Sequence, residues 1–380
     1  MREMKDSGVK WVGEIPSSWK VYKVKQIADS NNDVLPENYE EEQEIDYIEI
    51  GSVTYEHGVR TTEKMKFGNA PSRARRIVHN GDTIISTVRT YLKAIAYIDD
   101  SLADKIVSTG FSVVTPHKDV VAKFLYYALS THSFISNVEA HSVGISYPAI
   151  NNTNLMDLKI VLPMQREQIQ IASYLDAKCS KIDEIIEKQQ AIIEKLKEYK
   201  FSIITEAVTK GINPDVELKD STIDMCEQIP VHWSISQNRY LFSLRDEKNY
   251  KSLEEVRLLS LYTDLGVFPH GEQEERGNKA VKAEGYKVVY ENDIVVNIIL
   301  AWMGAIGRSA YDGVTSPAYD IYKPNENVCS RYYHYLYRTK PFSAECYKYG
   351  RGIMAMRWRT YSSEFKSIKC LYHLISNNVK

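Results

Sequence analysis

The sequence predicts an α+β chain made of two homologous domains joined by one long, coiled-coil-forming α-helix. Three observations carry this. A set of residues recurs once along the chain at constant spacing, short β-branched strand signals occur in both copies, and a run from 168 to about 209 between them contains neither Pro nor Gly.

The repeat opens at the N-terminus. Lys5-Asp6-Ser7, Ile15-Pro16 and Trp19 return as Lys219-Asp220-Ser221, Ile229-Pro230 and Trp233, all displaced equally and without a gap. Further on the register slips, as loop insertions require. Gly81-Asp82-Thr83-Ile84-Ile85 aligns with Asn292-Asp293-Ile294-Val295-Val296, and the segment from Phe124 to Thr131 aligns with that from Tyr332 to Thr339. Gly144 then meets Gly352, which predicts a turn at both places, and Leu158-Lys159 meets Ile368-Lys369. A period this long describes two copies of one domain and not a solenoid. The expected boundaries are 1–162 and 214–372 for the copies, 163–213 for a helical spacer, and 373–380 for a short tail.

Strands are expected at 46–50, 82–86 and 111–114, short runs bounded by Gly, Asp or Pro and rich in residues that suit a pleated surface. Helices are expected at 120–131 and 330–339. The spacer fits one heptad frame, with Leu175, Ile182, Gln189, Leu196 and Ile203 at one core position and Ile171, Lys178, Ile185, Ile192 and Tyr199 at the other. Ile186 and Ile193 widen the apolar stripe, and Gly211 and Pro214 end the helix. Such a stripe is not stable alone in water, so the helix needs a partner.

Composition narrows the class. With 380 residues, 43% hydrophobic and 26% charged, the chain has material for two cores. It has no apolar run of about 18 residues and begins with charged residues, so a cytoplasmic protein without membrane contact is expected. The five cysteines include no CxxC pair and read as structural thiols. No phosphate-binding glycine loop and no zinc spacing occur, so neither cofactor nor metal is expected. The net charge of −2 weighs slightly against a nucleic-acid binder, although it does not report on a local basic groove.

The opening from Lys5 to Trp19, the Gly81-Asp82 strand start, Leu158 to Pro163 leading into Gln165-Arg166-Glu167-Gln168-Ile169, and the helix end from Ile204 to Gly211 resemble the specificity subunit of type I restriction–modification systems. The resemblance covers nearly the whole chain. It implies that each copy is a target recognition domain reading one half of a bipartite, asymmetric site in double-stranded DNA. It implies that the helix docks methyltransferase subunits, two of them, that an endonuclease/translocase subunit joins for cleavage, and that this chain performs no chemistry itself. In the family a second helical region follows the second domain. Tyr372 to Lys380 supplies none, so a shortened or reservoir version is expected, its helix pairing with a second copy or with the methyltransferase subunits alone.

Candidate DNA contacts are basic residues beside Gly and aromatics. In the first copy these are Arg73, Arg75 and Arg76, then Arg89, Tyr91 and Lys93; in the second, Trp302 and Arg308, then Arg351, Arg357 and Arg359. The competing reading makes the charges solvated surface and Tyr91 and Trp302 core residues. The candidate partner-helix contacts are Ile171, Leu175, Ile182, Ile185, Gln189, Ile192, Leu196, Tyr199 and Ile203.

Two other classes compete. Ser316-Pro317-Ala318-Tyr319 resembles the loop with which adenine methyltransferases hold a flipped base, but its aligned partner Ser108-Thr109-Gly110-Phe111 lacks the Pro and no cofactor loop accompanies it. A framework turn is the expectation. A scaffold protein would fit the helix and the near-neutral charge, but it does not explain matched basic and aromatic loops in both copies.

Overall fold

The computed structural model describes residues 3–9, 11–263, 265–271, 282–353 and 358–373. The chain divides into two compact units, Met1–Glu187 and Lys188–Lys380.

The first unit opens with a hairpin in which Lys5 faces Ile15, so the repeated opening residues are a β-ladder. Strand Lys20–Lys23 then pairs antiparallel with Lys159–Leu162, which closes the unit on its own beginning. Between them lies an antiparallel sheet of β1 (Ala28–Ser30), β2 (Thr83–Ser86), β3 (Ile95–Tyr97) and β4 (Phe111–Pro116), in the order β3-β2-β4-β1. All four residues of β2 are buried. Successive side chains in a strand point to opposite faces, and here Ile85 joins a cluster with Leu125, Leu129 and Phe134 while Ile84 joins one with Ile48, Val107 and Val113. A sheet buried on both faces needs a continuous apolar run, and Ile84-Ile85 supplies it.

Helices α1 (Ala122–Leu129) and α2 (His132–Ala140) cover the first face. Beyond the second lies a four-stranded sheet of Glu63–Lys66, Glu44–Ile48, Ile106–Ser108 and Ala74–Ile77.

The second unit repeats this plan. Lys219 faces Ile229 in its opening hairpin, and Ser234–Gln237 pairs with Lys369–Tyr372 to close it. Its sheet of β5 (Phe242–Arg245), β6 (Ile294–Asn297), β7 (Ile306–Arg308) and β8 (Tyr319–Pro324) runs β7-β6-β8-β5, matching the first unit strand for strand. The register agrees too: Thr83 faces Val114 and Ile84 faces Val113, as Ile294 faces Tyr322 and Val295 faces Ile321. Helices α3 (Ser330–Leu336) and α4 (Lys340–Tyr349) stand where α1 and α2 do.

The outer lobes differ. Where the first unit has a four-stranded sheet, the described residues of the second form two ladders, Leu259–Tyr262 with Gly266–Pro269 and Lys287–Val289 with Gly313–Thr315.

The helix expected at 330–339 stops at Leu336 because Thr339 caps the next helix: its hydroxyl accepts from the Phe342 amide at 3.4 Å. Thr131 does the same for Phe134 at 3.3 Å, so the alignment of these two threonines is an alignment of N-caps. The spacer is one continuous helix, Gln165–Lys210, ended by Gly211 at φ +81°. In the first unit Gln168 of this spacer helix is buried, accepting from the Val121 amide at 2.8 Å and donating to the Pro163 carbonyl at 2.9 Å. In the second unit the Tyr332 hydroxyl donates to the Val208 carbonyl at 2.7 Å.

Candidate nucleic-acid interface

Each central strand is aimed by a turn just before it. Gly81 and Asn292 both adopt positive φ, +96° and +74°, a conformation that favours Gly and Asn. The next residue, Asp82 or Asp293, is buried. Asp82 accepts from the His79 amide at 2.8 Å and the Thr115 hydroxyl at 2.7 Å. Asp293 accepts from the Tyr290 amide at 2.9 Å and from Arg245 at 2.8 and 3.2 Å. Burial pushes both carboxyls above the usual range, and these hydrogen bonds act against it.

A tight loop after β2 bears three of the sequence-predicted residues. Arg89 and Lys93 flank a short 3₁₀ turn and both have positive φ, +50° and +54°, an uncommon conformation for such side chains that marks local strain. The turn is held by a second loop at 142–150. Thr90, buried, donates its hydroxyl to Ser142 at 2.8 Å, Val88 bridges to Ala149, and the Ile150 amide donates to the Thr87 carbonyl at 2.9 Å. Tyr91 is 52% exposed, so the core reading does not hold for it.

The second loop is a small hairpin in which Val143 and Ala149 exchange backbone hydrogen bonds of 2.9 and 3.0 Å. Gly144 makes its turn at φ +120°, where an added Cβ would sit 3.0 Å from the Tyr147 carbonyl. The Arg89 guanidinium lies over the Tyr147 ring, 5.0 Å from its centroid.

The second unit builds the same pair of loops. Thr360 donates its amide to the Ile298 carbonyl at 2.8 Å, as Ile150 does to Thr87, and Arg351 and Arg359 exchange two bonds of 2.9 Å, as Val143 and Ala149 do. Two arginines therefore face one another across this bridge, an arrangement that costs stability unless an anion or carboxylate offsets it. Glu364 does so for Arg351 at 2.9 Å. An aromatic cluster supports the base: Trp358 stacks on Tyr347 at 4.9 Å, and Trp302 meets Tyr347 edge-on at 5.8 Å.

The remaining candidates lie elsewhere. Trp302 is half-buried against the core and spends its indole N–H on the Ile299 carbonyl at 3.0 Å, which places it as a support of the loop and not on its surface. Arg308 clamps the turn before β6, bonding Asn292 at 2.8 Å and Glu291 at 3.2 Å. Arg75 rests over Phe67 at 5.0 Å, and Arg76 is half-buried in its strand, its pKa lowered by burial. Arg73 pairs with Glu49. Its carbonyl accepts from the Thr109 amide, and the Gly110 carbonyl accepts from the Thr87 amide, both at 2.8 Å, so Arg73 is continuous with the loop after β2. Arg357 lies outside the described residues.

The sequence reading missed Ile145 and Tyr147 of the first hairpin and Ile353 and Trp358 of the second. The aligned Gly144 and Gly352 were the available signal, because each is followed directly by Ile. The Ser316 segment is a turn: the Ala318 amide donates to the Ser316 hydroxyl at 3.3 Å and the Tyr319 amide to its carbonyl at 3.1 Å.

Along the spacer helix, Ile171 and Leu175 are half-buried in the first unit, whereas Ile182, Ile185, Gln189, Ile192, Leu196, Tyr199 and Ile203 are all exposed. Among the described residues no group of three potential metal ligands occurs, and no helix is long and apolar enough to cross a membrane.

Two copies of one α+β module, each carrying the same paired loops, make this a duplicated-domain protein. Residues 16–199, just under half of the chain, match the family model for the type I restriction modification DNA specificity domain. The chain is 27% identical over 194 residues to the type I restriction enzyme MjaIX specificity subunit of Methanocaldococcus jannaschii, a match spanning 49% of this chain and 43% of the relative. It is 25% identical over 255 residues to the putative MjaX specificity subunit of the same organism, spanning 63% and 55%. The chain thus spans about half the length of these relatives.

The fold is similar to a chain from a structure of type I restriction–modification complex assembly and conformational transition, with TM-score 0.68 and 18% identity over 95% of this chain and 87% of that one. It is also similar to the HsdS subunit from Thermoanaerobacter tengcongensis, with TM-score 0.54 and 18% identity over 97% and 87%.

Proposed function

We propose that this chain is the DNA-recognition subunit of a type I restriction–modification complex and performs no catalysis itself. The recognition domains are 1–162 and 214–372, the helical spacer is 163–213, and 373–380 is a tail. Each recognition domain reads one half of a split, asymmetric site in double-stranded DNA. The spacer docks methyltransferase subunits, an endonuclease/translocase subunit joins them, and the complex works in the cytoplasm.

The observation that carries this reading is the loop pair built twice from different residues. The framework that holds the loops is shared, down to the register of the sheet, while the exposed side chains and the outer lobes differ. A protein that reads two unlike half-sites needs that combination, because phosphate contacts fix position and variable side chains specify bases. Arg89 and Lys93 in one unit, and Arg351 and Arg359 in the other, are the proposed phosphate contacts, with Arg73 beside the first set. Tyr91 is proposed as a base-edge or sugar contact. The exposed stripe from Ile182 to Ile203 supports docking of partner helices, supplied by the methyltransferase subunits or by a second copy.

Co-expression with the cognate methyltransferase subunit, followed by genome-wide sequencing of adenine methylation, tests this. A split asymmetric motif methylated only in the presence of this chain is expected. Absence of any new motif from a stable, methyltransferase-loaded complex would refute the reading.

A further inference from the structure

The outer lobe of each unit sends a hairpin back against the framework, and the two copies fasten it in the same place by different means. In the first unit the hairpin pairs Val53 with Val59 and Thr54 with Gly58; in the second it pairs Leu261 with Val267 and Tyr262 with Gly266. Gly58 and Gly266 both adopt positive φ, +60° and +98°, and each lies against the edge strand of its central sheet. A Cβ added to Gly58 would sit 3.5 Å from the Ala96 Cβ, and one added to Gly307 would sit 3.1 Å from the Gly266 Cα. The turn is then tied to the end of the first covering helix. The Tyr55 hydroxyl donates to the Ser130 carbonyl at 2.8 Å, and Arg338, which aligns with Ser130, donates to the Leu265 and Thr263 carbonyls, both at 3.3 Å. A hairpin secured to the same helix end in both copies, with the hydrogen bonds running in opposite directions, is held for the sake of its position.

In the first unit that position is beside the loop after β2. Thr54, Tyr55 and Glu56 share the lining of a cleft of about 410 Å³ with Tyr91, Leu92 and Lys93. Glu49 and Glu139 of the same unit are matched by cations, Arg73 and Lys93, whereas Glu56 is exposed and enters no ion pair among the described residues. A carboxylate beside a phosphate-binding loop is repelled by the DNA backbone, so its place there calls for a donor on the DNA. An ionised carboxylate only accepts hydrogen bonds. In the major groove guanine offers two acceptors, thymine an acceptor and a methyl group, and adenine an acceptor next to its amino group; cytosine alone offers a donor with no acceptor beside it.

We propose that Glu56 reads a C·G pair in the half-site of the first unit, its carboxylate accepting from the cytosine N4 amino group, and that Tyr55 is the positioning residue that holds the turn beside Tyr91. This rests on the DNA-recognition reading and assigns one base pair within it.

The test uses the full chain, wild type and variant, co-expressed with its methyltransferase subunit. Genome-wide sequencing of adenine methylation gives the motif, and competition binding of the purified complexes gives the discrimination. The wild-type motif is expected to hold an invariant C·G pair in one half, and replacing that pair should weaken binding about tenfold. Glu56→Ala should make that position degenerate and reduce the penalty to less than about threefold, with the other positions and the other half unchanged. Glu56→Gln, whose amide both donates and accepts, should turn the preference toward A·T. Tyr55→Phe removes only the hydroxyl and should blunt discrimination at the same position while the slope of log affinity against log salt stays as in wild type; unchanged discrimination would overturn its positioning role. Full discrimination in Glu56→Ala, degeneracy in both halves, or loss of the methyltransferase subunit from the Glu56 variants would each overturn the assignment. A wild-type complex that yields no methylated motif would instead overturn the DNA-recognition reading, and the assignment with it.

Discussion

Asp82 and Asp293 hold equivalent places yet should respond differently to one change. In Asp82→Asn, the retained oxygen can still accept from the His79 amide while the new N–H₂ donates to the Thr115 hydroxyl, which can turn to accept. A charge disfavoured by burial is also removed, so the cost should stay within about 1 kcal/mol. In Asp293→Asn the same change takes from Arg245 its buried carboxylate and leaves it only Glu247, at 3.7 Å, so a loss of about 2 kcal/mol is expected. Urea denaturation of the two variants separates these outcomes, and equal losses would show that the arginine contributes nothing. His79 gives a pH-dependent case. Its Nε2 lies 2.7 Å from Asp33 and its Nδ1 3.1 Å from Asp104. The bond to Asp33, then that to Asp104, raises its pKa above the ordinary 6.5, against desolvation. Stability from a raised histidine is fully present below the unfolded value and is lost as pH rises through the folded one. The advantage of wild type over His79→Gln should therefore be larger at acidic than at alkaline pH, as followed by denaturation across that range. No advantage at acidic pH would mean the exposed pair is screened out.

At the scale of elements, the spacer helix was the most legible feature: a run free of Pro and Gly with heptad periodicity predicted 168 to about 209, and the helix is Gln165–Lys210. The strands at 82–86 and 111–114 were legible because they are buried on both faces, so that apolar content alone marks them. The strand expected at 46–50 is Glu44–Ile48, since a 3₁₀ turn takes over at Ile50–Ser52, and no local pattern distinguishes that turn from strand. The candidate site was legible only in half. Basic and aromatic residues after β2 can be read from sequence, but the hairpin that braces them comes from some fifty residues further on, and its placement depends on Thr90 meeting Ser142 and Val88 meeting Ala149. Gly350 was likewise unread: an added Cβ would lie 2.4 Å from the Trp358 indole nitrogen, with the ring already stacked on Tyr347. Gly350→Ala should therefore dislodge Trp358, seen as a red shift of tryptophan emission, while the closing strand Lys369–Tyr372 stays protected in hydrogen exchange. An unchanged spectrum would show that the hairpin accommodates the methyl group by a small backbone shift. The exposed stripe on the spacer gives a second prediction. Ile185→Asp with Ile192→Asp removes apolar surface that neither unit buries, so both units should keep their thermal unfolding while light scattering shows loss of every helix-mediated complex.

For the whole molecule, near-neutral charge and DNA binding are compatible because cations are unevenly employed. The chain carries 48 Lys and Arg against 50 Asp and Glu, but Lys105, Arg245, Lys287 and Arg308 are committed to carboxylates within their own units. Arg89 instead rests on an aromatic ring, and Arg351 stays 77% exposed despite its contact with Glu364. Net charge sums these populations and so hides the second. If Arg89 and Arg351 each neutralise one phosphate, replacing either by Ala should lower affinity at every ionic strength and reduce the slope of log affinity against log salt by about one. Because the two residues belong to separate units and share no partner, their effects should add: the double variant should lose the sum of the two free energies and about two units of slope. The readout is anisotropy titration of the methyltransferase-loaded complex over a salt series. A single substitution that already abolishes salt dependence would show that one unit supplies all the phosphate contacts, and the proposal of two equivalent reading modules would fail. Additive losses would instead mean that the repeat visible in the first residues of the chain is also a repeat in how it holds DNA.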